Sequence, residues 1–378
     1  MFLLGSPFFY MSLVFAALFI ILVKFRKISA TLKTVSINVI VLLLLFSAFD
    51  STAIVYSDVH EFRIDHYYYH HGLKSFVSTE TRWGSNYENL YPLYTNSLSF
   101  IDFEPRKVSL KKTGRRFVLI GDSFVEGVGY SYGETFAGMV TEELAKKGIE
   151  VLNPSAISYS PKLHYFKLKY FIDKGLEIDE VFQFIDISDI IDEIYYDYFI
   201  PSKIKGIAKI FRPADILFTH NSFTYRRLKK QYSEQINPRG FEYWGGENSF
   251  YGYKGKWTYN EEAYEKFGKE GIQLAKKYVD KLWELCKSKG IKLHIIAYPW
   301  HETLLTKTGH IPRKLWEEYA QERGISFIQM FDLFEAIPEN EIDNYFIPKD
   351  IHWNDNGHRI VGEFMIDFFK DYLDDSSE

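Results

Sequence analysis

Hydrophobic and polar positions follow three successive patterns along the chain. From Phe2 to Val23 no charged residue interrupts an apolar run, which is long enough to cross a bilayer as a helix. Four cations follow, Lys24, Arg26, Lys27 and Lys33. A second apolar stretch then runs from Thr34 to Phe49 and continues past Asp50 to Tyr56. Its uncharged part is short for a full span, and Asp50 near its end fits an interfacial position, where a carboxylate costs less than at the bilayer centre. Residues 57–114 are polar and aromatic without a clear period. From residue 115 short apolar runs alternate with amphipathic ones, which is the rhythm of strands and helices.

The alternating part predicts strands at 117–120, 149–153, 180–186, 292–298 and 325–330. Helices are predicted from Glu134 to Lys147 with a stop at Gly148, over 162–175, from Glu261 to Lys289, and at about 312–323. Residues 195–260, irregular and rich in Tyr, Gly and Lys, read as an insertion over one face. Short apolar strands alternating with helices argue for α/β, a three-layer α/β/α domain of flavodoxin-like type with a parallel sheet. The predicted organisation is a membrane anchor of two transmembrane helices at 1–56, a connector at 57–114, and the α/β domain at 115–378. The acidic ending "DDSSE" reads as disordered. The positive-inside rule puts the Lys/Arg loop in the cytoplasm and everything after residue 60 on the extracytoplasmic side. A signal peptide is the competing reading, but no basic region precedes the first segment.

Composition narrows the picture. The chain has 378 residues, ample for a large core, and a net charge of −5 with both signs scattered, so it carries no nucleic-acid footprint. Cys286 is the one cysteine, which excludes an intramolecular disulfide and any multi-cysteine metal site. Aromatic residues make up 18%, which fits either sugar or lipid contact or simply large core side chains. His66, His70 and His71 stand close together, yet no carboxylate and histidine spacing supports a metal site there. No metal and no cofactor is expected.

The candidate chemistry begins with "RRFVLIGDSFVEGVGY", residues 115–130. Gly121 marks a turn that a side chain would obstruct, and Ser123 lies just past the end of a strand. Ligands gather at the carboxyl ends of strands in open α/β sheets, so Ser123 is either a nucleophile or a helix cap. Near the other end stands "YFIPKDIHWNDNGHRIVGEFM", residues 345–365. A serine hydroxyl needs a base to take its proton, and the base needs a partner that fixes its tautomer. Ser123, His352 and Asp350 supply those three roles. The alternative is a surface turn in which Asp350 caps a helix and His352 is idle.

Taken together, the two segments resemble the SGNH hydrolases, also called GDSL-type esterases, over roughly residues 94–370. "GDSF" matches the family's nucleophile block at Gly121, Asp122, Ser123 and Phe124, and "HWNDNGH" matches its His-x-Asn-x-x-Gly pattern. The family usually places Asp three residues before the His. Here that position is Lys349 and the carboxylate is Asp350, an Asp-x-His-Trp form that resembles a membrane-anchored branch including alginate and other exopolysaccharide O-acetylation proteins. The resemblance implies oxyanion donors at Ser158, through its backbone where the family usually has Gly, and at Ser188, where the family usually has Asn. A hydroxyl is shorter than a carboxamide and can turn away; loss of one such donor costs on the order of 10²–10³ in rate.

"AYPWHETLL" (297–305) follows a predicted core strand, so Tyr298, Trp300 and His301 are candidates for a sugar groove, as is Trp353, with core closure as the alternative. His358 is expected to pack structurally. The function expected is a serine-dependent esterase or O-acetyltransferase acting on acyl esters of carbohydrate through an acyl-serine. A transferase would need an external acetyl donor or a partner membrane acyltransferase. A non-catalytic glycan-binding or assembly protein on the same fold is the alternative from another class. A lipase acting on membrane lipid would instead predict an apolar groove.

Overall fold

The computed structural model describes residues 7–25, 29–56, 62–84, 89–201, 218, 222–236 and 254–375. Outside them lie the start of the first apolar segment, Arg26 and Lys27, much of the expected insertion (202–217, 219–221 and 237–253), and residues 376–378 of the acidic ending. The described residues form two compact units.

The first unit contains helix α1 (Pro7–Phe25), helix α2 (Ala30–Tyr56) and a helix Phe223–Ile236 from within the expected insertion. The apolar window of α2, Ala30–Ala53, has 24 residues and is long enough to cross a membrane by length and composition; that of α1, Phe8–Ile21, is shorter. The second helix is longer than its uncharged stretch alone, because α2 continues as a helix through Asp50. Phe8 meets Phe46 edge-on at 4.6 Å. Asp50 is buried and accepts the backbone N–H of Thr224 at 2.8 Å, so it caps the first turn of the helix Phe223–Ile236.

In the second unit five parallel strands form the sheet: β1 (Arg116–Ile120), β2 (Glu150–Leu152), β3 (Glu180–Ile185), β4 (Lys292–Ala297) and β5 (Ser326–Gln329). Their order is β2-β1-β3-β4-β5, the flavodoxin-like order. Every residue of β1 and β3 is buried, as strands covered on both faces require. The one cation in β1, Arg116, is kept there by Glu150 (Nε to Oε2, 2.7 Å) and by the carbonyls of Ser109, Leu110 and Glu177.

A four-residue helix α3 (Ser123–Glu126) leaves β1, and α4 (Phe136–Lys146) leads to β2. Helix α5 (Pro161–Asp173) precedes β3, and α6 (Asp189–Tyr195) follows it. The chain then passes through α7 (Lys269–Lys289), α8 (His310–Arg323) and the closing α9 (Asp355–Asp375). Helix α4 packs on α9 and α5 on α7, while Tyr319 of α8 donates to Asp280 of α7 at 2.7 Å. Right-handed crossovers put the first pair on one face of the sheet and the other three helices on the opposite face. This is the three-layer α/β/α arrangement. The helix expected from Glu261 is broken by a π turn at Tyr264–Gly268, so α7 starts only at Lys269.

The connector is more structured than its sequence pattern indicates. Ser78–Trp83, Asn89–Thr95 and Ile101–Asp102 form a three-stranded antiparallel sheet within the same compact unit as the α/β layers. The strand "STETRW" is mostly exposed and polar, so it lacks the alternation that marks a half-buried strand.

Candidate active site

Strand β1 stops at Gly121 because α3 comes too close for a side chain. A methyl group there would overlap Cγ2 of Val125 and stand 3.0 Å from Cβ of Phe184. The helix cap is not Ser123 but Asp122, whose carboxylate accepts the N–H of Phe124 at 3.0 Å. The Ser123 hydroxyl is therefore not spent on capping, and it stands 3.3 Å from Oδ2 of Asp122. It lies 2.7 Å from Nε2 of His352, and Nδ1 of His352 is bonded to Oδ1 of Asp350. The same Asp350 oxygen accepts the backbone N–H of His352 at 3.1 Å, which holds the loop that carries both residues.

Because a carboxylate only accepts, His352 carries its proton on Nδ1 and presents Nε2 as the acceptor for Ser123. Burial raises the Asp350 pKa, but hydrogen bonds from the His352 side chain and from the backbone of His352 and Ile351 outweigh it. The group ends below its usual range and stays ionised. Phe124 and Trp83 flank the imidazole, with ring centroids 4.8 and 5.2 Å away.

A cavity of about 210 Å³ opens over Ser123 and His352. Asp122, Ser158, Ser188, Lys254 and Trp300 are in its wall, with Trp83, Ile157 and Ile351. Ser158 has a left-handed backbone, φ 53°, and among the described residues neither its N–H nor that of Ser123 makes a hydrogen bond. Ser188 is in place as expected, but its hydroxyl donates to Asp186 at 2.8 Å, with Asp192 at 3.4 Å, so it is turned away from a reacting group.

Next to Ser123 lie three buried carboxylates, Asp122, Asp186 and Asp189, with oxygens within 4.8 Å of one another. Desolvation, then the charge of Asp186, raises the pKa of Asp122 and of Asp189 well above the normal range. The cluster's oxygens accept from Phe124 N–H, the Tyr298 hydroxyl, the Ser188 N–H and hydroxyl, and Trp300 Nε1. That donor set fits carboxyl groups held by hydrogen bonds.

Of the four aromatic and histidine positions expected to line a groove, Trp300 alone reaches the cavity, where its Nε1 donates to Asp186 at 2.8 Å. Tyr298 and Trp353 are core residues. Tyr298 donates to Asp122 at 3.1 Å, and Trp353 packs against Phe124, Phe136, Tyr298 and Phe334. His301 is half-buried at a helix start and pairs with Asp343 at 2.6 Å, away from the cavity wall. Tyr298 and Trp353 follow strand or loop ends whose side chains turn inward, which spacing alone does not fix. His358 is buried and accepts the Phe136 N–H at 3.4 Å, a packing role.

Sequence reasoning missed two wall residues. Trp83 comes from the antiparallel sheet of the connector, and Lys254 comes from the end of the insertion. Lys254 is buried and donates to Asp192 at 2.7 Å. Neither residue belongs to a motif, and both lie far from Ser123 in sequence.

No known protein family's sequence profile matches the chain, and no curated protein matches it. Among solved structures it is similar to a lipolytic protein of the G-D-S-L family from Veillonella parvula. The identity is 13%, over 68% of this chain and 99% of that one, with a TM-score of 0.38. It is also similar to a psychrotrophic esterase from Pseudoalteromonas sp. (9% identity, 69% and 100% of the two chains, TM-score 0.40). A third similar structure is a catalytic mutant of an acetylxylan esterase from Geobacillus stearothermophilus (11% identity, 68% and 94%, TM-score 0.37).

Proposed function

We propose that this chain is an acyl-ester enzyme that works through an acyl-serine. The observation that carries the reading is the continuous bonding from Ser123 through His352 to Asp350, with Ser123 at the floor of a cavity. His352 takes the Ser123 proton on Nε2 as Oγ attacks the ester carbonyl, and Asp350 stabilises the imidazolium that forms. The oxyanion is received by the amides of Ser123 and Ser158. On collapse, the bond to the alcohol oxygen breaks and His352 returns the proton to it. Water or a second hydroxyl then releases the acyl group by the same steps.

The cavity's volume favours a short acyl group such as acetyl over a lipid chain. The half-buried indole of Trp83 beside His352 offers a face for a sugar ring, so acetyl esters of carbohydrate are the substrate class of this proposal. Hydrolysis and transfer differ only in which hydroxyl resolves the intermediate; a transferase would draw its acetyl group from an external donor or a partner membrane acyltransferase. The exposed apolar side chains of α1 and α2, among them Leu13, Val14, Ile20, Leu42 and Leu45, support a membrane anchor. The positive-inside rule then puts the α/β unit on the extracytoplasmic side. Reporter fusions after residues 33 and 60 test that orientation, and a cytoplasmic signal from the second refutes it.

Labelling of the detergent-solubilised full chain with a fluorophosphonate tests the chemistry. Ser123 is expected to be labelled, and both Ser123→Ala and His352→Ala to abolish the labelling. A folded wild-type chain that stays unlabelled would refute the acyl-serine mechanism and favour a glycan-binding role.

A further inference from the structure

The left-handed backbone of Ser158 is the starting observation. An L-residue pays roughly 1–2 kcal/mol for this conformation, and such strain persists only where neighbours over-determine it. Besides the turn bond from the Tyr159 N–H to the Ala156 carbonyl at 3.2 Å, three longer-range hydrogen bonds surround the residue. The carboxylate of Glu126, the last residue of the nucleophile's helix α3, accepts the N–H of Ile157 at 2.8 Å. Nε2 of His71 bonds the carbonyl of Ile157 at 2.7 Å. The hydroxyl of Tyr159 donates back to the carbonyl of His71 at 2.5 Å. Ser158 is therefore gripped from the residue before it and the residue after it.

We infer that Glu126 and His71 are positioning residues that hold the Ser158 amide aimed into the cavity as an oxyanion donor. The inference rests on the acyl-serine reading and goes beyond it. It assigns a role in the reaction to the short connector strand His70–Leu73, which carries His71. It also couples the oxyanion donor to the nucleophile, since Glu126 and Ser123 share one helical turn.

The hydrogen-bond directions support a designed strap. A carbonyl only accepts, so His71 carries its proton on Nε2. Neutral His71 then has a bare Nδ1, which lies 2.8 Å from Nδ1 of His70 and accepts its proton. His70 in turn accepts at Nε2 from the Tyr198 hydroxyl at 2.9 Å. One tautomer chain, from Tyr198 through both histidines to Ile157, keeps the His71 ring in the orientation that holds the loop. On the other side, the ammonium of Lys167 lies 5.0 Å from the Tyr159 ring centroid and 5.1 Å from that of Tyr69, packing the strap from beneath.

The test uses full-length protein and p-nitrophenyl acetate, with Ser123→Ala as the zero. His71→Asn, too short to reach Ile157, is expected to lower kcat at least tenfold with KM within about twofold. His71→Gln places an amide N–H where Nε2 stood and is expected to recover most of kcat. Glu126→Ala is expected to behave like His71→Asn, and Glu126→Gln, which keeps an acceptor, like wild type. Because both residues act through one amide, the double variant Glu126→Ala/His71→Asn is expected to lose no more than the 10²–10³ of a single donor. Equal kcat for His71→Asn and His71→Gln, whatever their thermal midpoints, overturns the strap while leaving the acyl-serine reading intact. Activity that survives in Ser123→Ala overturns that reading, and the strap falls with it.

Discussion

Replacing Gly121 by Ala probes how closely the nucleophile's helix must approach the sheet. The added methyl would overlap Cγ2 of Val125 and lie 3.0 Å from Cβ of Phe184 and 3.1 Å from Cβ of Val125. Carbon atoms pack at about 3.5–4.0 Å, and Cγ2 of Val125 would stand 2.4 Å from the new methyl, so α3 must retreat from Gly121 by about 1.1–1.6 Å. Val125 cannot yield by rotation, because a β-branched side chain in a helix has one strongly preferred rotamer. Overpacking of this kind costs about 1–3 kcal/mol, which lowers the thermal midpoint by several degrees.

The same retreat carries Ser123 with it. A shift of that size along the bond would stretch its 2.7 Å contact with His352 to about 3.8–4.3 Å, beyond the reach of a hydrogen bond. A displacement of this size lowers activity on the order of 10²-fold. The measurements are kcat/KM for p-nitrophenyl acetate and the thermal midpoint of the full chain. Gly148→Ala is the control. Its φ is 73° and no atom lies within 4 Å of an added methyl, so stability falls while the site keeps its geometry. A Gly121→Ala variant with wild-type kcat/KM would refute the argument that close packing of α3 places the nucleophile.

Asp350→Asn is expected to lower kcat on the order of 10⁴-fold with little change in KM, because an amide N–H facing Nδ1 drives the imidazole to the wrong tautomer. Steady-state kinetics decide it, and a loss below tenfold would show that Asp350 does not set the tautomer. Stability should depend on pH through Glu193, which burial pushes up to about 7 from its ordinary 4.5. Between those values the folded chain keeps a proton that the unfolded chain has released. Stability from this group therefore declines as pH rises from about 4.5 to about 7 and returns on acidification. Glu193→Gln, which still accepts the Lys162 N–H, is expected to flatten that part of the curve in thermal unfolding, and an unchanged curve would refute the assignment.

The fold and the three residues proposed to react could be read from the sequence because local physics encodes them. Short apolar runs bounded by turn residues mark the strands of a doubly covered sheet, and each of the five was legible to within a residue or two. Ser123, Asp350 and His352 lie in two segments whose residue types and order state their roles. Gly121 shows where the chain must turn. The connector's strands were hidden, because an exposed edge such as "STETRW" buries too little to impose alternation.

Everything that depends on which distant side chains meet was decided by tertiary structure. Spacing allowed Tyr298 and Trp353 to face a groove, but core space beside Phe124 took them inward. Ser188 was located correctly along the chain, yet its hydroxyl turns to Asp186, a choice made by a buried carboxylate and not by the serine. Trp83 and Lys254 reach the site from outside any motif, and His71 bonds the loop beside it. Their positions follow from long-range packing, whose contacts leave no periodic trace in a single sequence. The chain's local pattern determined where a serine would stand, and the assembled layers determined what would surround it.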